Sequence, residues 1–188
     1  RDRLINLIEN KTLIADITPF EAFAFVLKNY LDVQGQQRVK ESVKELLERK
    51  GYKPYQYQLD AVSQALTIIN SPDTPNGLIV SDVVGLGKSV IASLIAKNLG
   101  KRGVIICPPG LIGDENKRSG WKKYKEDFEL HDWEIRACGL ENLERTLELL
   151  KENSEYEVII VDEVHRFRNQ DTEAYETLSN ICRDKIVI

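Results

Sequence analysis

From Leu78 onward the chain alternates short unbroken apolar runs with longer stretches whose apolar residues recur every three or four positions. The runs are 78–81 (LIVS), 104–107 (VIIC), 133–137 (WEIRA), 158–161 (VIIV) and 186–188 (IVI). The first, second and fourth are continuous and rich in β-branched residues, the pattern of strands covered on both faces. Between the runs, 88–99, 140–151 and 172–182 read as helices. Strands alternating with helices predict an α/β domain built on a mostly parallel sheet.

The first fifty residues read differently, as helices alone. Thr18, Pro19 and Glu21 form a capping box, and Phe20, Phe23, Leu27 and Leu31 keep helical spacing behind it. Val39, Val43, Leu46 and Leu47 share one face of a second helix that stops at Gly51. This predicts a helical extension over 1–52 that links to an upstream region, ahead of an α/β domain over 53–188. Helix packing without chemistry is the plain reading of the extension. After Pro54 a helix over 57–70 leads into the turn-rich stretch SPDTPNG.

Composition narrows the class. A chain of 188 residues holds one sizeable domain and a small extension. No apolar run approaches a membrane span, and no signal peptide opens the sequence. Cys107, Cys138 and Cys182 are scattered, with no Cys-x-x-Cys pair, so they read as reduced thiols of a cytoplasmic protein. The net charge of −4 does not advertise a nucleic-acid binder, although a local basic groove fits inside that total. The sequence has no methionine and ends on the strand-like DKIVI, which reads as a piece of a longer chain.

Candidate chemistry begins at 81–89, SDVVGLGKS. Gly87, Lys88 and Ser89 fill the last positions of the phosphate-loop pattern G-x-x-x-x-G-K-[ST], while Asp82 stands where its first glycine belongs. A strand, a glycine turn and a helix are the context such a loop needs. Backbone N–H groups of Gly85, Leu86 and Gly87 would turn around a phosphate, and the helix N-terminus adds positive dipole. Lys88 would reach the β- and γ-phosphates, and the Ser89 hydroxyl would hold magnesium. Some seventy residues on, YEVIIVDEVHRFRN sets Asp162 and Glu163 at the end of an apolar strand. Carboxylates at strand ends lie where ligands collect in open α/β sheets. Asp162 would hold the magnesium–water shell, and Glu163 would polarise the water that attacks the γ-phosphate.

D-x-x-G-L-G-K-[S/T] together with D-E-x-H-R-x-x-N resembles the Swi/Snf-type ATPases of helicase superfamily two, the DExH group. There the loop typically reads D-E-M-G-L-G-K-T, so aspartate at 82 is a family marker, and the departures are Val83, Val84 and Ser89. The resemblance runs over roughly 53–188 and implies the first RecA-like lobe of a P-loop NTPase, truncated before the second. It implies ATP and magnesium as ligands, and nucleic acid as partner, with tracking along double-stranded DNA rather than strand separation. A second RecA-like lobe of the full-length chain would supply an arginine finger, so the fragment alone is expected to be nearly inactive. In a bacterium the protein would be nucleoid-associated. KPYQYQLDAV resembles the adenine-reading glutamine motif, with Gln58 the better candidate, Gln56 its rival, and Tyr55 or Tyr57 able to stack. VIICPPGLIG resembles the segment that lines a DNA strand, which nominates Pro108 and Gly110. His165, followed by the usual Arg166 and Asn169, would couple the nucleotide site to neighbouring segments.

Lys117, Arg118, Lys122, Lys123 and Lys125 make a basic cluster interleaved with Trp121 and Tyr124. Phosphate contacts, chiefly by Lys122 and Lys123, are its functional reading. Asp114, Glu115, Glu126, Asp127 and Glu129 flank it, so a solvated amphipathic segment competes. Two other functions stay open. One is a different P-loop enzyme, an AAA-type ATPase or a small-molecule kinase, although these normally keep the glycine that Asp82 replaces. The other is an interaction module with a vestigial nucleotide site, against which Lys88, Ser89, Asp162 and Glu163 all argue.

Overall fold

A computed structural model describes residues 39–71, 77–81, 85–114 and 116–188. The capping box at Thr18 and its helix, most of the SPDTPNG stretch, and Asp82, Val83 and Val84 lie outside the described residues. The elements in chain order are α1 (Glu41–Arg49), α2 (Gln56–Ile69), α3 (Lys88–Leu99), β1 (Arg102–Cys107), α4 (Pro109–Ile112), α5 (Gly120–Asp127), β2 (Glu134–Ala137), α6 (Leu140–Glu152), β3 (Tyr156–Val161), a 3-10 turn (Val164–Phe167), α7 (Glu173–Cys182) and β4 (Ile186–Val187).

The four strands form a parallel sheet in the order β2-β1-β3-β4. Helices flank it on both sides, which is the α/β architecture of a P-loop NTPase with a RecA-like sheet. Alternating residues of the central strands feed two separate cores. Ile105, Cys107, Val158 and Ile160 pack with α1, α2, α3 and α5 through Leu47, Val62, Ile91, Ile95 and Trp121. Val104, Ile106 and Ile159 pack with α6 and α7 through Leu143, Leu178 and Ile181. The unbroken apolar runs of β1 and β3 are thus explained by burial on both faces.

Two strand expectations differ from the structure. The run 78–81 makes no extended ladder. Gly77 forms one parallel bridge to Val187, and the Leu78 N–H donates to the Val187 carbonyl at 2.9 Å. β4 is only two residues long and so offers little edge to pair with, and Ile79 is left 80% exposed instead of covered. In WEIRA the strand begins at Glu134, because Trp133 turns into the core and its indole N–H donates to the Lys101 carbonyl.

Helix α1 falls within the stretch assigned to the extension ending at residue 52, yet its apolar face is part of the α/β core. Val43, Leu46 and Leu47 are buried there, and the Lys40 backbone N–H donates to Asn98 Oδ1 at 3.0 Å. Tyr52 closes the same side, its hydroxyl donating to Asp127 at 2.7 Å. The described residues from Val39 onward belong to one compact unit.

Candidate nucleotide site

The sheet register sets the site. Gly77 is level with Val187, Val187 with Ile159, and Ile159 with Val104. The chain runs the same way through all four, so residues 78–81 and the residues after Val161 head toward the same carboxyl edge. That edge is where open α/β sheets collect ligands.

The glycine turn is shaped for an anion. Gly85 and Gly87 have φ of 93° and 78°, and α3 starts directly after Gly87, with the Ile91 N–H donating to the Gly87 carbonyl. The first N–H groups of a helix have no intrahelical acceptor, and the N-cap Gly87 has no side chain to cap them. Among the described residues, a β-carbon on Gly85 would meet nothing within 4 Å. A glycine turn at positive φ and the dipole of the helix that follows it together fit a phosphate group. Lys88 and Ser89, both half-buried, are the first residues of the helix.

Behind the turn stands Gln58. It is buried in the first turn of α2, and its side-chain amide donates to the Leu86 carbonyl at 3.0 Å. The Tyr57 hydroxyl donates to the same oxygen at 3.1 Å. Gln56 faces outward and bonds Asp60 on its own helix at 2.8 Å. Of the two glutamines, Gln58 is therefore the one that reaches the loop. Tyr55 and Tyr57 are exposed, with ring centroids 5.6 Å apart, beside the turn that Tyr57 touches.

The acidic pair leaves β3 in two directions. The Asp162 N–H continues the ladder by donating to the Ile106 carbonyl at 2.9 Å. Its half-buried carboxylate accepts the indole N–H of Trp121 at 2.8 Å. Cys107 lies behind it, where burial, and then the charge of Asp162, push the thiol up to about 12. Glu163 has φ 57° and ψ 44°, a left-handed conformation that costs a non-glycine residue about 1–2 kcal/mol. This turns the chain sharply off the strand and leaves the Glu163 side chain exposed. His165 Nδ1 lies 3.1 Å from Glu163 Oε2, so the histidine assigned to coupling touches the carboxylate assigned to the water.

Among the described residues, no cluster of three or more His, Cys, Asp or Glu side chains could hold a metal by itself. Magnesium in phosphate sites is commonly held by one or two protein oxygens plus substrate phosphates and water. A serine hydroxyl at the start of α3 and one oriented carboxylate across the same edge fit that mode.

Lys122, Lys123 and Lys125 of the basic stretch lie on α5, with Lys117 and Arg118 in the turn before it, and much of the stretch is engaged within the protein. Arg118 pairs with the buried Asp127 at 2.6 Å. The Lys123 ammonium lies over the rings of Tyr52 and Tyr124, 5.3 and 5.6 Å from their centroids. Lys122 is half-buried, Pro108 is buried, and Gly110 is exposed. Trp121 is buried. Its bond to Asp162 is the feature that sequence reasoning missed, since no spacing rule joins residues 41 positions apart. The available signal was the indole N–H itself, which usually finds an acceptor when buried.

A protein-family model described as "ATPase family associated with various cellular activities (AAA)" matches residues 78–183, more than half of the chain. The chain belongs to this ATPase family. The matched span of the AAA domain contains the glycine turn, Lys88, Ser89, Asp162 and Glu163. A curated relative, the "Uncharacterized ATP-dependent helicase YqhH" of Bacillus subtilis (strain 168), is 26% identical over 145 residues. The match covers 70% of this chain and 25% of that protein, so the chain spans about a quarter of the length of the relative it matches. At the level these similarities reach, the chain is a nucleotide-binding P-loop ATPase domain.

Proposed function

We propose that the chain is the ATP-binding lobe of a DNA-dependent ATPase of the helicase-like Swi/Snf type, one that couples hydrolysis to translocation on, or remodelling of, nucleic acid. The observation that carries this reading is the buried Gln58 amide bonded to the Leu86 carbonyl of the glycine turn. It joins an upstream glutamine to the phosphate loop, and D-E-x-H stands at the same sheet edge. The helicase in the name of the B. subtilis relative points the same way.

In this proposal Gln58 and the tyrosines beside it take the adenine, and the turn at Gly85, Leu86 and Gly87 takes the phosphates through its N–H groups. Lys88 places a positive charge on the β- and γ-phosphates. Ser89 and Asp162 would hold magnesium, which neutralises charge developing on the transferred phosphoryl group. Glu163 orients and polarises the attacking water, and His165 holds Glu163 in place while linking it to the segment that follows. Pro108, Gly110, Lys122 and Lys123 are the proposed nucleic-acid contacts, with duplex DNA as the first candidate. A second lobe would complete the site with an arginine, so the 188 residues alone hydrolyse ATP very slowly.

The test is an ATPase assay on the full-length protein, with and without duplex DNA, single-stranded DNA and RNA. Turnover stimulated by duplex is the expected result. Turnover indifferent to all three nucleic acids would contradict the proposal. So would the isolated 188 residues matching the rate of the longer protein.

A further inference from the structure

We propose that Trp121 is a positioning residue for the magnesium-bearing carboxylate of Asp162. This inference rests on the nucleotide-site reading above.

The indole Nε1–H lies 2.8 Å from Asp162 Oδ2, and Trp121 is only 2% exposed. An indole has one polar group, a donor, and when buried it requires an acceptor. A carboxylate is otherwise free to rotate about its last torsion, whose preference is broad. Fixing one oxygen with a buried donor sets the direction of the other. Carboxylates that bind metals are usually held by such a hydrogen bond, and losing it weakens the metal.

The donor is itself held rigidly. The Trp121 ring meets Tyr124 edge-on, with centroids 5.7 Å apart. Asp127, at the end of the same helix, is gripped by Arg118 and by the Tyr52 hydroxyl. At the start of the helix Gly113 and Gly120 approach so closely that a β-carbon on Gly113 would lie 1.8 Å from the Ser119 carbonyl oxygen. Helix α5 therefore presents the indole at a fixed place, and Asp162 takes its orientation from it.

Trp121→Phe keeps most of the ring and removes the N–H. Calorimetric titration of ATP into the full chain, at graded magnesium and in EDTA, reads the consequence. The variant should need about tenfold more magnesium for half-saturation. Its affinity for ATP in EDTA should match wild type. On an Asp162→Asn background the same substitution should change the magnesium requirement by no more than about twofold, because the two residues act as one unit. An unchanged magnesium requirement in Trp121→Phe overturns the inference, as does an equal loss of binding with and without magnesium. Wild-type protein that binds no nucleotide at all would instead overturn the nucleotide-site reading, and the inference with it.

A second readout leaves Trp121 intact. Its indole N–H proton resonance should shift and lose exchange protection in Asp162→Ala, while that of Trp133, bonded to the Lys101 carbonyl, stays put. An indole resonance of Trp121 indifferent to Asp162→Ala overturns the inference.

Discussion

The side-chain amide of Gln58 donates to the backbone carbonyl of Leu86 at 3.0 Å, across 28 residues of sequence. The bond ties the first turn of α2 to the glycine turn ahead of α3. A buried amide with a fixed partner sets the shape of the loop before any ligand arrives, and the exposed tyrosines of the same turn flank it.

Gln58→Ala should weaken ATP binding about tenfold and destabilise the fold by about 0.5–1.5 kcal/mol, since it removes one hydrogen bond and leaves the Leu86 carbonyl with the Tyr57 hydroxyl alone. Gln56→Ala, which removes only an exposed bond to Asp60, should leave both unchanged. Side-by-side calorimetry and urea denaturation of the two variants check this. Equal effects would show that the loop contact has no special weight.

Gly87→Ala should abolish nucleotide binding while leaving a folded protein. At φ 78° an alanine is strained, and its β-carbon would lie 2.6 Å from Gln58 Nε2. Backbone strain of this kind costs about 1–2 kcal/mol, and the clash must also displace the Gln58 amide. Nucleotide titration with a circular-dichroism melt separates the two effects. Normal binding by this variant would mean the turn tolerates a side chain after all.

Leu47→Ala should cost about 2–5 kcal/mol, the range for deleting a buried leucine. Leu47 is 1% exposed and shares a core with Ile91 and Ile95 of the loop-bearing helix. A loss below about 1 kcal/mol in urea denaturation would mean that α1 is not integral to the lobe.

Alkaline pH should destabilise the fold. Burial pushes the thiols of Cys107 and Cys182 up to about 12 and about 11, from an ordinary value of 9.0. Groups whose pKa is higher in the folded chain contribute stability that is complete below the unfolded pKa and lost as pH rises toward the folded one. Tyr52, raised by burial and by its bond to Asp127, adds to the same limb. Urea midpoints should therefore be level below about pH 8 and fall steadily above about pH 9, less steeply in Cys107→Ala. A midpoint flat across that range contradicts the burial of these groups.

Much of the lobe was legible because its signals are local. The helix Lys88–Leu99 follows from Gly87 before it and Gly100 after it, both at positive φ, with a helical run between. The helix read over 172–182 starts at Glu173, with Thr172 as its cap, accepting the Tyr175 N–H. The central strands announced themselves by burial on both faces. The run 78–81 was read as more of a strand than it is, because an apolar run carries no information about how much edge its neighbour offers. The site divides in the same way. The glycine turn, the glutamines and the acidic pair are short runs that can be read directly. The choice of Gln58 as the loop contact depends on a packed helix, and the Trp121–Asp162 bond depends on two elements that only the fold brings together. The basic stretch was read for phosphate contacts or a solvated amphipathic face, and neither reading indicated that Trp121 is turned inward.

The central claim is a working magnesium–ATP site built on Lys88, Ser89 and Asp162, and calorimetric titration of magnesium–ATP tests it most directly. The wild-type chain should bind, and Lys88→Ala should weaken binding by about 1.5–3 kcal/mol, the worth of a charged hydrogen bond, with omission of magnesium weakening it further. No binding by the wild-type chain, or binding that Lys88→Ala leaves untouched, would contradict it.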